Sequence, residues 1–248
     1  MRNLTEGKPI KLILLFTVPI LIGQIFQLLY NLVDTRIVGQ ILGKEALAAV
    51  ASTTSLSDLL ITLIYGVTNG FAIITASFFG AKDEKNLEKS IAGTFSLGIL
   101  ISVILSVFCL IFLDPLLKII KVDESLYVAA KSYIGVILAG LVVTALYNIF
   151  ACTLRAIGDS VTPLIFLIIS AFLNIVLDYS FIKFLKMGVA GAAYATVISQ
   201  VVSVILCFIY IRKAYKHLIA CKEDFKYDKN IMPKQLMAGT SMGFMNSV

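Results

Sequence analysis

The chain has 248 residues; 59% are hydrophobic and only 15% are Asp, Glu, Lys or Arg. A soluble domain carries about 25% charged residues. The composition therefore excludes an ordinary soluble globule and a disordered chain, and points to an all-α, polytopic membrane bundle. The net charge is +6, but the basic residues fall between apolar runs. They read as membrane-orientation signals, and no nucleic-acid partner is expected.

Charges divide the chain into long uncharged runs, each near the roughly 20 residues that cross a bilayer as a helix. The first, Leu12–Val33, is too long for a signal-peptide core and runs into Asp34 rather than a small-residue cleavage site, so it is a retained helix. Pro19 lies in its middle, where it deletes a backbone hydrogen bond and favours a kink. The second run, Leu59–Ala81, extends backward past Asp58, because Ala46–Ser57 is also uncharged. Its Gly66-Val-Thr-Asn-Gly70 segment fits close helix packing. Ser90–Leu113 and Ser132–Leu154 are the third and fourth spans.

After the fourth span comes a tight connection in which Gly158 ends one helix and Asp159 or Ser160 caps the next. The fifth span, Ser160–Leu177, continues past Asp178 toward Phe184, and Met187–Ile211 is the sixth. Residues 1–211 thus form a six-helix lobe, and 212–234 a basic linker. The uncharged stretch 235–248 reads as the truncated start of a seventh helix. Alternate loops differ about twofold in Lys and Arg, which places the N-terminus in the cytoplasm and the protein in the cell inner or plasma membrane.

Little here suggests an enzyme. Cys109, Cys152, Cys207 and Cys221 have neither metal-ligand nor redox spacing, and His217 is the single histidine. No cofactor and no zinc-type metal site is expected, and no nucleophile–base set appears.

The informative signal is polar periodicity inside apolar runs. Helix one carries Gln24, Gln27, Asn31 and Asp34 in steps of three and four, on one face. Helix five carries Ser170, Asn174 and Asp178 in steps of four. Helix six carries Thr196, Gln200 and Ser203, and helix two Thr62, Tyr65 and Asn69. Ser and Thr in membranes commonly just join helices, whereas a carboxylate there is costly and demands a reason. Helices one and five run in the same direction, and Asp34 and Asp178 both come late in them. Thr196 comes early in the opposed helix six, so the three stripes converge on one pocket in the outer half. Asp58 is taken as interfacial and left outside it. A carboxyl withdrawn from water favours its protonated form, and a nearby cation favours the ionised form. Such a pocket suits H⁺ or Na⁺ coupling. A faint echo also relates Asn31, Asp34 and Gly43 to Asn174, Asp178 and Gly188, as in duplicated transporter units.

Five ordered segments carry a resemblance. They are Leu29–Thr35 with Val38-Gly39; Phe79–Asp83; Arg155–Asp159 with Thr162-Pro163; Leu173–Asp178 with Phe181-Ile182; and Gly188–Thr196 with Ser199-Gln200. In this order they resemble the multidrug and toxic compound extrusion (MATE) family. The resemblance implies an antiporter that exchanges H⁺ or Na⁺ for small cationic amphipathic compounds, built of two six-helix lobes around a central cavity. This chain would be the first lobe, with a second lobe as its partner. The resemblance also implies coupling roles for Asp34, Asn174, Asp178 and Thr196, with Na⁺ an alternative at Asp34 and Asp178, and a hinge at Pro19. Gln24, Gln27, Asn31, Tyr65, Asn69 and Gln200 are the expected cavity lining. Two other readings stand beside it: a flippase-like exporter of lipid-linked sugars, which a cavity rich in Arg or Lys would favour, and a non-transporting truncated membrane protein.

Overall fold

The computed structural model describes residues 9–215 and 228–247. Cys221, His217 and most of the basic linker lie outside the described residues. Within these, the chain is helical throughout: α1 (Pro9–Leu42), α2 (Lys44–Gly80), α3 (Glu84–Ile111), α4 (Leu113–Ile119), α5 (Tyr127–Ala139), α6 (Leu141–Ala156), α7 (Val161–Tyr179), α8 (Val189–Ala214) and α9 (Met232–Ser247). A π-helical turn, Ser180–Phe184, prolongs α7. Helices suit this chain because each satisfies its own backbone groups without water.

Among the described residues five helices are long and apolar enough to cross a membrane, and α5 with α6, bent by 42° at their junction, pass the same test together. The expected fourth span was continuous; the structure divides it at Gly140. A Cβ on Gly140 would stand 2.3 Å from Val197 Cγ2, so α8 fills the notch that the missing side chain leaves. A short amphipathic α4, which the charge pattern did not reveal, caps the third span. Its Asp114 accepts from Tyr127 Oη (2.7 Å) and pairs with Lys131.

Local chemistry explains the turns. Asp83 caps α3 by accepting from the Asn86 backbone N–H at 3.2 Å. Asp159 stands before α7 and accepts from the Thr162 N–H (3.0 Å), the Thr162 hydroxyl (2.7 Å) and the Tyr210 hydroxyl (3.1 Å). Of the two caps considered for α7, Asp159 therefore supplies the side chain, while Ser160 makes no side-chain cap bond. Gly43 and Gly188 both precede a helix with positive φ, 90° and 62°, a conformation that favours glycine. The faint sequence echo thus has a structural counterpart: each Asp-bearing helix is followed by a left-handed glycine and a long helix.

The main apolar core joins Leu60 and Ile64 of α2, Ile134 and Leu138 of α5, Leu141 and Ala145 of α6, and Ala193 of α8, closed below by Leu117 of α4. Helix α1 stands apart from that core. It rests chiefly on α7, leaves Leu28, Leu29 and Leu32 exposed as a lipid-facing side, and turns its polar stripe inward.

Helix α9 begins before Gln235, the expected start of the seventh helix, and does not stand off as a separate segment. It packs most extensively on α2. The Gly66 and Gly70 pair meets Gly239 and Gly243 of α9. Here the small-residue spacing read from the sequence finds its partner, and the backbones approach closely because no side chains intervene. At the other end of α9, Gln235 is fully buried and donates to Ser90 O (2.8 Å) and to the Ser90 and Thr94 hydroxyls (3.1 and 3.0 Å). Lys89 and Asp228 add an ion pair at 3.0 Å.

Candidate functional site

Polar faces of α1, α2, α6, α7 and α8, with Tyr133 of α5, line one open cavity of about 590 Å³, within the usual range for drug-sized ligands. Gln24, Gln27, Asn31 and Asp34 all line it, as the three- and four-residue steps required. Pro19 lines it from the same helix, and α1 continues as helix on both sides of the proline. Tyr65, Thr196 and Gln200 complete the expected set. Gln200 Oε1 accepts from the Thr144 hydroxyl at 2.7 Å, which ties α8 to α6. Ser170 and Ser203 serve helix joining: each donates to a backbone carbonyl of the other's helix, Ser199 O and Phe166 O.

At one end the two acidic helices meet. Asn174 Nδ2 donates to Thr196 Oγ1 at 3.4 Å, and the same hydroxyl accepts from Tyr30 at 3.2 Å. Asn174 and Asp178 are wholly buried behind the cavity wall rather than part of its lining. The carboxyls of Asp34 and Asp178 adjoin one another. Asp34 Oδ1, Asn174 Oδ1 and both Asp178 carboxyl oxygens are buried without a hydrogen-bond partner. Buried polar atoms are almost always paired, so four orphaned oxygens in one cluster mark a place built to receive a donor or a cation. The set contains only hard oxygen ligands, which fit H⁺ or Na⁺ and not a soft transition metal. Among the described residues no group of three or more His, Cys, Asp or Glu could hold a metal ion.

Two expectations change. Asn69 does not reach the cavity; its amide donates to Tyr65 O on its own helix at 2.8 Å. It follows Tyr65 by four residues, one turn on, where α2 has left the cavity wall for its contact with α9. Asp58, set aside as interfacial, instead lines the cavity along with Tyr133, Tyr147 and Asn148.

The cavity's opposite end carries a positive charge. Arg155, at the last turn of α6, lines the cavity. Its Nη1 donates to Tyr65 Oη at 3.2 Å, its Nε donates to Ala151 O at 3.1 Å, and its guanidinium lies 5.8 Å from the Tyr65 ring centre. Gln24 Nε2 also donates to Tyr65 Oη, at 3.4 Å. The available signal was helical phase: Asn148, Ala151 and Arg155 follow the same three- and four-residue steps as the acidic stripe.

Comparisons with known proteins find relatives along most of the chain. The MatE family model matches residues 19–180. The chain is 32% identical over 232 residues to "Probable multidrug resistance protein YoeA" of Bacillus subtilis, covering 90% of this chain and 49% of that protein. It is 31% identical over 211 residues to "Probable multidrug resistance protein YpnP" of the same organism, covering 85% and 47%. Among solved structures, "Crystal structure of MATE in the bent conformation" superposes with a TM-score of 0.89 at 30% identity, over 96% of this chain and 53% of that one. The chain thus spans about half the length of the relatives it matches.

Proposed function

Because the chain belongs to the MatE family, whose members are multi-pass membrane transporters rather than enzymes, we propose that it forms the first lobe of a cation-coupled multidrug exporter. In this reading Asp34, Asn174, Asp178 and Thr196 bind the coupling ion, H⁺ or Na⁺. The cavity lined by Gln24, Gln27, Asn31, Tyr65 and Gln200 receives small amphipathic compounds bearing a cationic group. A second six-helix lobe supplies the facing wall. The protein sits in the plasma membrane with its N-terminus in the cytoplasm.

The observation that carries the reading is the cluster of orphaned oxygens on Asp34, Asn174 and Asp178. Two adjoining carboxyls repel when both are ionised, and one proton or one Na⁺ between them removes that repulsion. Asp34 also faces the cavity, so a cationic substrate arriving there competes for the same negative charge. That competition is the minimum needed for exchange: one site, two cations, never both. Pro19 lies about four turns before Asp34 on the same helix and is the point at which α1 can bend, moving Asp34 relative to α7.

The test is efflux of a cationic dye from cells expressing this chain joined to a homologous second lobe, with H⁺ or Na⁺ gradients imposed in turn. Asp34→Asn should abolish gradient-driven efflux. Normal efflux from a normally expressed Asp34→Asn protein refutes the coupling assignment.

A further inference from the structure

We propose that the outer end of α1 carries a binding site for an anionic phospholipid, with Arg36 holding the phosphodiester. The site uses the membrane orientation proposed above and is independent of what the cavity transports.

Leu14, Val18, Leu21, Ile25, Leu29 and Leu32 of α1 are all exposed and follow one another in steps of three and four, so they form one apolar stripe. The next step of four ends the stripe on Arg36. From Leu14 to Arg36 the stripe is about 33 Å long, against about 30 Å of bilayer hydrocarbon. The apolar face therefore gives way to a guanidinium where hydrocarbon gives way to headgroups. Arg36 is two residues from Asp34 and so points to the other side of the helix, away from the coupling cluster. It is exposed, and among the described residues it makes no ion pair.

A long basic side chain at a membrane interface can serve merely as an anchor, but Arg36 stands in a built recess. An open cleft of about 550 Å³ runs past it, between α1 and Leu47 of α2. Gly39 sets the cleft's depth: a Cβ there would stand 3.3 Å from Leu47 Cδ2. The side-chain amides of Asn31 and Gln40 line the same cleft, and among the described residues neither has a hydrogen-bond partner. Their register matches a phospholipid. The rigid fork of Arg36 takes two phosphate oxygens at once. Gln40 lies about 6 Å beyond Arg36, among the headgroups, and Asn31 about 7.5 Å deeper, at the level of the glycerol ester carbonyls. Leu28 and Ile25 continue below for an acyl chain. A free phosphate engages only the first of these groups. A zwitterionic headgroup brings its own ammonium toward the guanidinium, so an anionic headgroup is preferred.

Native mass spectrometry of the purified chain in detergent, alone and joined to a homologous second lobe, counts the lipids it retains. The probes are phosphatidylglycerol, phosphatidylcholine and diacylglycerol with matched acyl chains. One phosphatidylglycerol should be held about tenfold more tightly than phosphatidylcholine, the worth of one charge-assisted hydrogen-bonded pair, and diacylglycerol should not be retained. Arg36→Gln should bring the ratio to about one, and Arg36→Lys should keep part of it. Lys44→Gln, which removes a charge from the same end of the bundle outside the cleft, should leave the ratio unchanged. A wild-type ratio of one overturns the proposal, as does a ratio unmoved by Arg36→Gln or diacylglycerol held as well as phosphatidylglycerol. Displacement of the lipid by millimolar inorganic phosphate also overturns it, leaving a simple anion site. So does retention that vanishes on joining the second lobe, which would make this face a contact between lobes. If the glutamine variant does not fold, the wild-type ratio and the lysine variant still decide. Arg36 plays no part in the Asp34→Asn efflux test, so either reading can fail without the other.

Discussion

Glycine-to-alanine substitution is a small change, and in this fold its sign depends on the neighbour. An added Cβ at Gly70 would lie 2.5 Å from Ala238 O and 2.6 Å from Gly239 Cα. Favourable carbon contacts start near 3.5 Å, so α9 would have to withdraw by about 1 Å along a seam whose opposing atoms are backbone. Overpacking of this kind costs about 1–3 kcal/mol. Gly80, on the same helix, has nothing within 4 Å of such a Cβ, and alanine there should be neutral or gain up to about 1 kcal/mol from helix propensity. Because detergent unfolding is commonly irreversible, the assay is the half-life of monodisperse protein at a fixed raised temperature. Gly70→Ala should shorten it by about five- to 150-fold, the full cost appearing in the unfolding rate because the seam opens before the barrier. Gly80→Ala should leave it equal or longer. If the two variants decay alike, the seam is not tight, and the close approach of α2 and α9 is not what holds the ninth helix.

Two further outcomes follow from the same geometry. Gly140→Ala should destabilise by driving its Cβ into Val197 Cγ2, and Val197→Ala should rescue it. The coupling between the two changes should be about 1–2 kcal/mol in a double-mutant cycle on thermal half-lives, and additive effects would refute the notch. Asp228 is held below the usual carboxylate range, first by the Asn230 backbone N–H and then by Lys89. A lowered folded value means that the clasp contributes fully above the ordinary carboxylate range and is lost as pH falls through the folded value. Protease nicking near 228 should therefore rise on acidification, and Asp228→Asn should be susceptible at every pH and insensitive to it.

Much of the site was legible because periodicity survives translation into space. Four residues in steps of three and four on α1 had to share a face, and that face is the cavity wall. Asn174, Asp178 and Thr196 met for a related reason: opposed helices of known direction bring early residues of one beside late residues of the other. The break at Gly140 was not legible, since an apolar run reads the same whether straight or bent, and the cause is a valine on a different helix. Gly66 and Gly70 announced a close partner without identifying it; glycine spacing describes a groove, not its occupant. Arg155 was overlooked because charge at the end of a run was taken for a topology signal, although its helical phase placed it on the cavity face. Asp58 was set aside as interfacial because it stands toward one end of its span, yet it lines the cavity. Charges near helix ends can mark an interface or enter a cavity, and only packing separates the two.

The docking of α9 has a mechanical consequence. The helix is seated on α2 by a glycine seam and pinned to α3 by Gln235 and the Lys89–Asp228 pair. Force between the bundle and α9 has a direct route through this contact. It passes directly from rod to rod. With 16 residues, α9 is a lever about 24 Å long, so a 5° tilt of α2 displaces its far end by about 2 Å. The fulcrum is the seam where Gly66 and Gly70 of α2 meet Gly243 and Gly239 of α9.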